Sequence, residues 1–133
     1  MRLNSLKTKE IMISFSRPPP LVHAIMIEGK ALERVDLVTL LGVKLSNDLS
    51  WEKHVDHIIK KAQCRLFSLN MLRRAKVSGK DIMQIFCSKI RPVIEYASPV
   101  WHPGLTIEQS DDLEAIQKRA CKVAFPSSPM RNV

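Results

Sequence analysis

The sequence predicts an α+β fold, in which a small antiparallel β-sheet of about three strands precedes a three-helix bundle with a proline kink. Before Asn47, short apolar runs are separated by proline and glycine, as in strands joined by turns. After Asn47, apolar residues recur at intervals of three and four, which is the period of an amphipathic helix. Capping signatures at Ser78 and Thr106 mark two further helix starts.

The predicted strands come from three apolar runs. The first, Glu10–Phe15, is rich in β-branched residues and is followed by the triple proline Pro18–Pro20. The second lies before a tight turn at Glu28–Gly29, where glycine accepts a positive φ. The third, Leu37–Leu45, is interrupted by Gly42, which we interpret as a bulge or a point of close backbone approach.

The predicted helices bury one apolar face each. The first begins near a candidate N-cap, Ser50, and the second and third begin at Ser78 and Thr106. Pro92 lacks an N–H and crowds the carbonyl four residues back, so it kinks the second helix within "IRPVIEYASPVW". The first helix carries its apolar stripe on Trp51, Val55, Ile58, Ile59, Ala62, Leu66, Leu69 and Leu72.

The chain is basic, and its charge is concentrated in the helical part. The formal net charge is +8 over 133 residues, which points to an anionic partner such as nucleic acid or a membrane surface. Residues 60–91 hold nine Lys/Arg and one acid, Asp81. We predict phosphate contacts from this run, although a solvated helix face is the alternative. The candidate residues are Lys60, Lys61, Arg65, Arg73 and Arg74.

No metal or cofactor site is predicted for this chain. His54 and His57 are three apart on the first helix, but no Cys or acid at ligand spacing completes a set. The three cysteines form no C-x-x-C pair and read as reduced thiols. No apolar run approaches the roughly 18 residues that a membrane span needs, so we expect no membrane partner and a nuclear or cytoplasmic, intracellular location.

Five strings in register resemble the reverse transcriptases of non-LTR (LINE-type, jockey-like) retrotransposons. Together they span about residues 3–125, which is nearly the whole chain. They are "LNSLKTKEIMISF", "LLGVKLSNDLSWEKHV", "KKAQCRLFSLNMLRRAKVSGKD", "IRPVIEYASPVWHPGLT" and "LEAIQKRA".

The resemblance implies a segment that runs from the back of a polymerase palm into its thumb. Residues 1–48 would be the β-rich end of the palm, 49–126 the thumb-like helical region, and 127–133 a tail. Lys7 matches the lysine of the family's N-x-x-K-T motif, which would make it a general acid in a full-length parent only. The alternative is that Lys7 is a solvated lysine without a catalytic role. Leu41 and Gly42 match the loop that steadies the primer terminus, and the basic helices would hold the template–primer duplex.

One departure from the family decides what activity we expect. The resemblance implies two Mg²⁺ ions held by palm aspartates, in a full-length parent. No Asp-Asp pair precedes Asp111-Asp112, and that pair falls in the first turn of a predicted helix. We therefore expect a truncated or decayed copy without catalytic residues, whose partner is an RNA–DNA or DNA duplex bound without sequence preference.

Three alternatives stay open beside that expectation. The first is a stand-alone basic helical nucleic-acid-binding module, and the second is an inert remnant. The third is a scaffold that pairs with the missing palm and fingers in trans. The scaffold predicts an exposed apolar face on the N-terminal sheet.

Overall fold

A computed structural model describes residues 2–126 of the chain, and the predicted tail at 127–133 lies outside the described residues. The chain divides into two compact units, Met1–His54 and Val55–Val133. Strands lie in the first unit and helices dominate the second, so the predicted α+β class is confirmed.

The strands of the first unit form three separate pairs rather than one sheet. Two pairs are antiparallel hairpins, β2–β3 and β5–β6, whereas β1 and β4 pair in parallel. The strands are β1 (Lys9–Glu10), β2 (Met26–Ile27), β3 (Lys30–Ala31), β4 (Glu33–Arg34), β5 (Leu37–Leu40) and β6 (Val43–Ser46).

A buried ion pair explains why β1 and β4 stay together over so short a ladder. The Glu10 side chain is buried, and its carboxylate accepts hydrogen bonds from Arg34 Nε at 3.1 Å and from the Ile25 N–H at 3.2 Å. Arg34 also donates to the carbonyl oxygens of Val22 and His23. Charge-assisted bonds of this kind join the two strands to the intervening segment where few backbone ladder bonds exist.

Both hairpins turn through two residues in the left-handed region. Glu28 and Gly29, with φ of 50° and 76°, form the turn predicted there. Leu41 and Gly42, with φ of 48° and 83°, form a second turn, so Leu37–Leu45 is two strands and Gly42 is a turn residue rather than a bulge. Positive φ at both central residues is the type I′ geometry, which matches the twist of the flanking strands.

The first helix, α1 (Glu52–Arg74), begins two residues after the predicted cap Ser50. Asp48 organises the preceding turn, because its Oδ1 accepts from the Ser46 hydroxyl and from the Ser50 N–H at 2.9 Å. These bonds, the one from Ser46 first, hold the pKa of Asp48 below its ordinary value.

At its other end α1 closes in a Schellman motif. Lys76 adopts φ 62°, and its N–H donates to the Arg73 carbonyl at 2.9 Å. The Val77 N–H donates to the Leu72 carbonyl at 3.1 Å, which completes the motif. A lysine thus occupies a left-handed position that glycine adopts at lower cost.

The second predicted helix is continuous but changes type before its proline. It runs through α2 (Gly79–Ile85), a π-helical segment (Phe86–Ile90) and α3 (Arg91–Glu95). The Arg91 N–H donates to the Phe86 carbonyl, five residues back, which is the wider π spacing. This wider turn shifts the carbonyls that the ring of Pro92 would crowd in a regular helix, so the irregularity expected at this proline takes the form of a π-helical segment.

The rest of "IRPVIEYASPVW" is a short helix with a buried tryptophan. It forms α4 (Ser98–Trp101), after a left-handed residue at Ala97, and a 3₁₀ turn (His102–Gly104) follows. The Trp101 ring is buried, and its Nε1 donates to the Tyr96 carbonyl at 2.9 Å. Trp101 is therefore a core anchor with its one polar atom satisfied.

The last helix, α5 (Ile107–Ala124), begins where the sequence predicts. The Thr106 side chain accepts from the Gln109 N–H, and the Gln109 side chain accepts from the Thr106 N–H, so the capping box is complete. The apolar core of the second unit includes Val55, Ile58, Ala62, Leu66, Leu69, Ile82, Phe86, Ile90, Ile94, Trp101, Leu113, Ile116, Ala120 and Ala124.

Candidate nucleic-acid interface

The five basic candidates all lie on α1, but helical periodicity divides them among different faces. Lys60 and Arg74 lie on the side of α1 away from its buried stripe, and both are exposed. At 1.5 Å per residue they are about 21 Å apart along the axis. Lys61 is exposed on one flank of the helix. These three cations are in a position to contact an anionic backbone.

Arg65 is half-buried on the flank that faces the π-helical segment. Its Nη1 donates a hydrogen bond to the carbonyl oxygen of Lys89. Because Lys89 belongs to the π-helical segment, this bond joins α1 to the second predicted helix. Arg65 thus has a structural partner, which competes with a phosphate for the same side chain.

Arg73 also has a structural partner, at the end of α5. Its Nη1 donates to the carbonyls of Val123 at 2.6 Å and Ala124 at 3.3 Å. Carbonyls in the last turn of a helix lack intrahelical partners and carry the negative end of the dipole, so a guanidinium there is favourable. Gly79 approaches the same point, because a methyl group in its place would overlap the Ala124 carbonyl oxygen.

Within residues 2–126, none of Lys60, Lys61 and Arg74 forms an ion pair. Arg91, at the end of the basic run, differs: its Nε lies 2.6 Å from Glu95 Oε1, and this hydrogen bond raises the pKa of Arg91. Of the candidate cations, Lys60, Lys61 and Arg74 are therefore the ones whose charge is exposed and without a close carboxylate in the described chain.

The other residues named from the resemblance lie in the first unit. Lys7 is exposed in the turn before β1, where its N–H donates to the Asn4 carbonyl at 3.1 Å. Leu41, 83% exposed, and Gly42 form the tip of the β5–β6 hairpin. A leucine is a costly choice at a left-handed, solvent-facing position, and such outliers are more frequent at functional sites than elsewhere.

The histidine pair on α1 does not share a ligand site. His54 is buried, and its Nδ1 accepts a hydrogen bond from the Lys44 N–H at 3.2 Å, whereas His57 is exposed. Across the described part of the chain, no three His, Cys, Asp or Glu side chains come together in a way that would hold a metal ion.

Sequence reasoning missed a groove between α1 and α5. It has a volume of about 450 Å³ and lies beside Phe67, whose side chain is 63% exposed. Two cations of α5, Arg119 and Lys122, line its other wall. The signal was present, since Phe67 falls outside the apolar stripe of α1 and the two cations are three residues apart on α5.

Comparisons with known proteins add no relative. No protein-family model matches the sequence, and neither a curated protein nor a solved structure matches it significantly. None of the helices within residues 2–126 combines the length and apolar character that crossing a membrane requires.

Proposed function

We propose that this chain binds the backbone of a template–primer duplex, RNA–DNA or DNA, as the thumb-like region of a non-LTR retrotransposon reverse transcriptase. The observation that carries the proposal is the set of exposed cations Lys60, Lys61 and Arg74, which have no ion-pair partner within the described residues. Such contacts hold a duplex without reading its sequence.

The geometry of α1 supports contact with a long anionic surface. Lys60 and Arg74 span about 21 Å of one helix side, a length over which a duplex presents many phosphates. If the five strings reflect this family, α1 belongs to the thumb and the β5–β6 tip at Leu41 and Gly42 to the loop near the primer terminus. With a nucleic acid as its partner, we propose a nuclear or cytoplasmic location for the protein.

The proposal includes no catalysis by this chain alone. The sequence holds no Asp-Asp pair before Asp111-Asp112, and both of these side chains are exposed in the early turns of α5. Polymerisation with Mg²⁺ would need acidic ligands from another part of a full-length parent.

A fluorescence anisotropy titration tests the proposal. The ligand is a labelled RNA–DNA duplex of about 20 base pairs, titrated between roughly 50 and 200 mM salt. We expect saturable binding at low salt that weakens steeply as salt rises, with equal affinity for unrelated sequences. Absence of binding at low salt, or a flat salt response, would leave an inert remnant.

A second candidate function is that of a scaffold that pairs with a polymerase palm in trans. The surface of the first unit favours it. Large apolar side chains are exposed there in unusual number for a small unit. They include Leu3, Leu6, Ile13, Phe15, Leu21, Val22, Ile25, Met26, Leu37, Leu40 and Leu41.

Sedimentation velocity separates this second function from the first. A surface that needs a palm should make the isolated chain self-associate or bind a hydrophobic dye. A monodisperse monomer with a sharp unfolding transition would contradict the scaffold and leave duplex binding unaffected.

A further inference from the structure

We infer that the groove between α1 and α5 is a binding site for an unpaired nucleotide of a single-stranded nucleic acid. The groove is lined by Gln63, Leu66, Phe67, Asn70, Arg119, Lys122 and Val123, all within the second unit. The groove adjoins the proposed duplex contacts, because Phe67 lies seven residues from both Lys60 and Arg74 on α1, but its ligand is a base and not the backbone alone.

The size and floor of the groove suit a flat aromatic ligand. Its volume of about 450 Å³ lies in the range of about 300–1,000 Å³ that is typical of small-molecule sites. Leu66 is buried and Val123 half-buried beneath it, which gives an apolar floor. Phe67 stands beside this floor with most of its ring exposed, and every nucleobase offers a π-face that stacks on such a ring.

The charge of the groove selects an anionic ligand. Arg119 and Lys122 line it, and no carboxylate does. In the portion of the chain that the structure describes, neither cation forms an ion pair, whereas their neighbour Lys118 does, with Glu114 at 3.3 Å. An exposed aromatic ring next to unpaired cations is the pairing of groups that binds bases and their phosphates in single strands.

Two amide side chains on the α1 wall add the capacity to bond a base edge. The Asn70 Nδ2 reaches the Leu66 carbonyl only at 3.4 Å, and its Oδ1 is an additional acceptor. Gln63 lies nearly two turns earlier on α1, on the same wall. Asn and Gln amides form paired donor and acceptor bonds with adenine, so adenine is the base of choice for a test.

The competing occupant is an acidic peptide segment, which would also use the two cations and the apolar floor. The two occupants differ in what they require of Phe67. A peptide side chain needs apolar area there, which leucine also supplies, whereas a base needs the ring face.

The test compares two labelled single strands of roughly eight nucleotides, one of deoxyadenylate and one abasic with the same phosphates. We expect the wild-type chain to bind the adenine strand roughly 5- to 150-fold more tightly. Phe67→Leu should reduce this ratio towards one, and Arg119→Gln with Lys122→Gln should weaken binding of both strands. Because the Phe67 side chain is exposed, the circular dichroism spectrum and melting temperature of the Phe67→Leu variant should match those of the wild type.

The outcomes separate this site from the proposed duplex contacts. Neutralising Lys60 and Lys61 should reduce duplex binding yet leave the adenine-to-abasic ratio unchanged. Equal affinity of the wild-type chain for both strands would overturn the inference, as would an unchanged ratio in Phe67→Leu. Tighter binding of a polyglutamate peptide than of the adenine strand would assign the groove to an acidic partner instead.

Discussion

Neutralising Lys60, Lys61 and Arg74, the three exposed candidates on α1 without an ion pair or a backbone partner among the described residues, should make duplex binding less dependent on salt. Each phosphate contact on a duplex contributes about −0.9 to the slope of log K against log salt. If Lys60, Lys61 and Arg74 each make one contact, they account for a slope of about −2.7. The triple variant Lys60→Gln, Lys61→Gln and Arg74→Gln should therefore be less steep than the wild type by about that amount.

The structure also supplies a control with the same change in net charge. Arg2, Lys9 and Lys118 are exposed cations that each lie within 4.0 Å of a carboxylate, with N···O distances of 3.6, 3.4 and 3.3 Å. Their triple Gln variant lowers the charge equally but removes cations that already have anionic partners. We expect its slope to remain close to that of the wild type.

Anisotropy titrations at four or more salt concentrations would measure all three slopes on one RNA–DNA duplex. Thermal melts of each variant confirm that it is folded. Equal slopes for the two triple variants would refute the assignment, because binding would then follow net charge and not the α1 surface.

Three further predictions concern stability and follow from local geometry. Arg73→Ala should lower the free energy of unfolding by about 1–2 kcal/mol in a urea titration, because the Val123 and Ala124 carbonyls lose their donor, and it should leave the salt slope unchanged. Lys76→Gly should raise the stability by about 1 kcal/mol, by relieving a left-handed side chain at φ 62°; a loss of stability would contradict that geometry. Asp48→Asn should lower the melting temperature near neutral pH. The pKa of Asp48 is lowered in the folded state, so its contribution to folding stability is complete above the ordinary value of 3.8 and is lost as the pH falls through the folded pKa. A difference in melting temperature between variant and wild type that persisted in acid would contradict this.

The helices were predictable because their signals are local. A stripe of period 3.6 and a complete capping box at Thr106 depend on neighbours within four residues, and both appear in the structure as expected. At Pro92 the sequence predicts a kink, because proline lacks a backbone N–H donor. It does not predict that the preceding turn widens into a π-helical segment.

The strands and the roles of individual cations were less predictable because their partners are distant in sequence. The pairing of β1 with β4 depends on Glu10 and Arg34, which are separated by two dozen residues. Helical periodicity places Arg73 on a face of α1, but it does not reveal that the guanidinium donates a hydrogen bond to a carbonyl at the end of α5. The turn at Leu41 was hidden for another reason, since leucine is disfavoured at positive φ.

The candidate site shows the same division between local and distant information. The sequence predicted a basic first helix, and the structure places Lys60, Lys61 and Arg74 at its exposed surface. It also gives Arg65 and Arg73 backbone partners, which periodicity does not predict. The groove beside Phe67 needs two helices that are far apart in the chain, so only the fold brings it together.

Lysine footprinting in the presence of duplex measures whether the exposed lysines of α1 contact nucleic acid. The chain is acetylated with and without a saturating RNA–DNA duplex at low salt, and mass spectrometry reports the modification of each lysine. We expect duplex to protect Lys60 and Lys61 while Lys9 and Lys118 stay as reactive as before. Undiminished acetylation of Lys60 and Lys61 in the bound state would contradict this expectation.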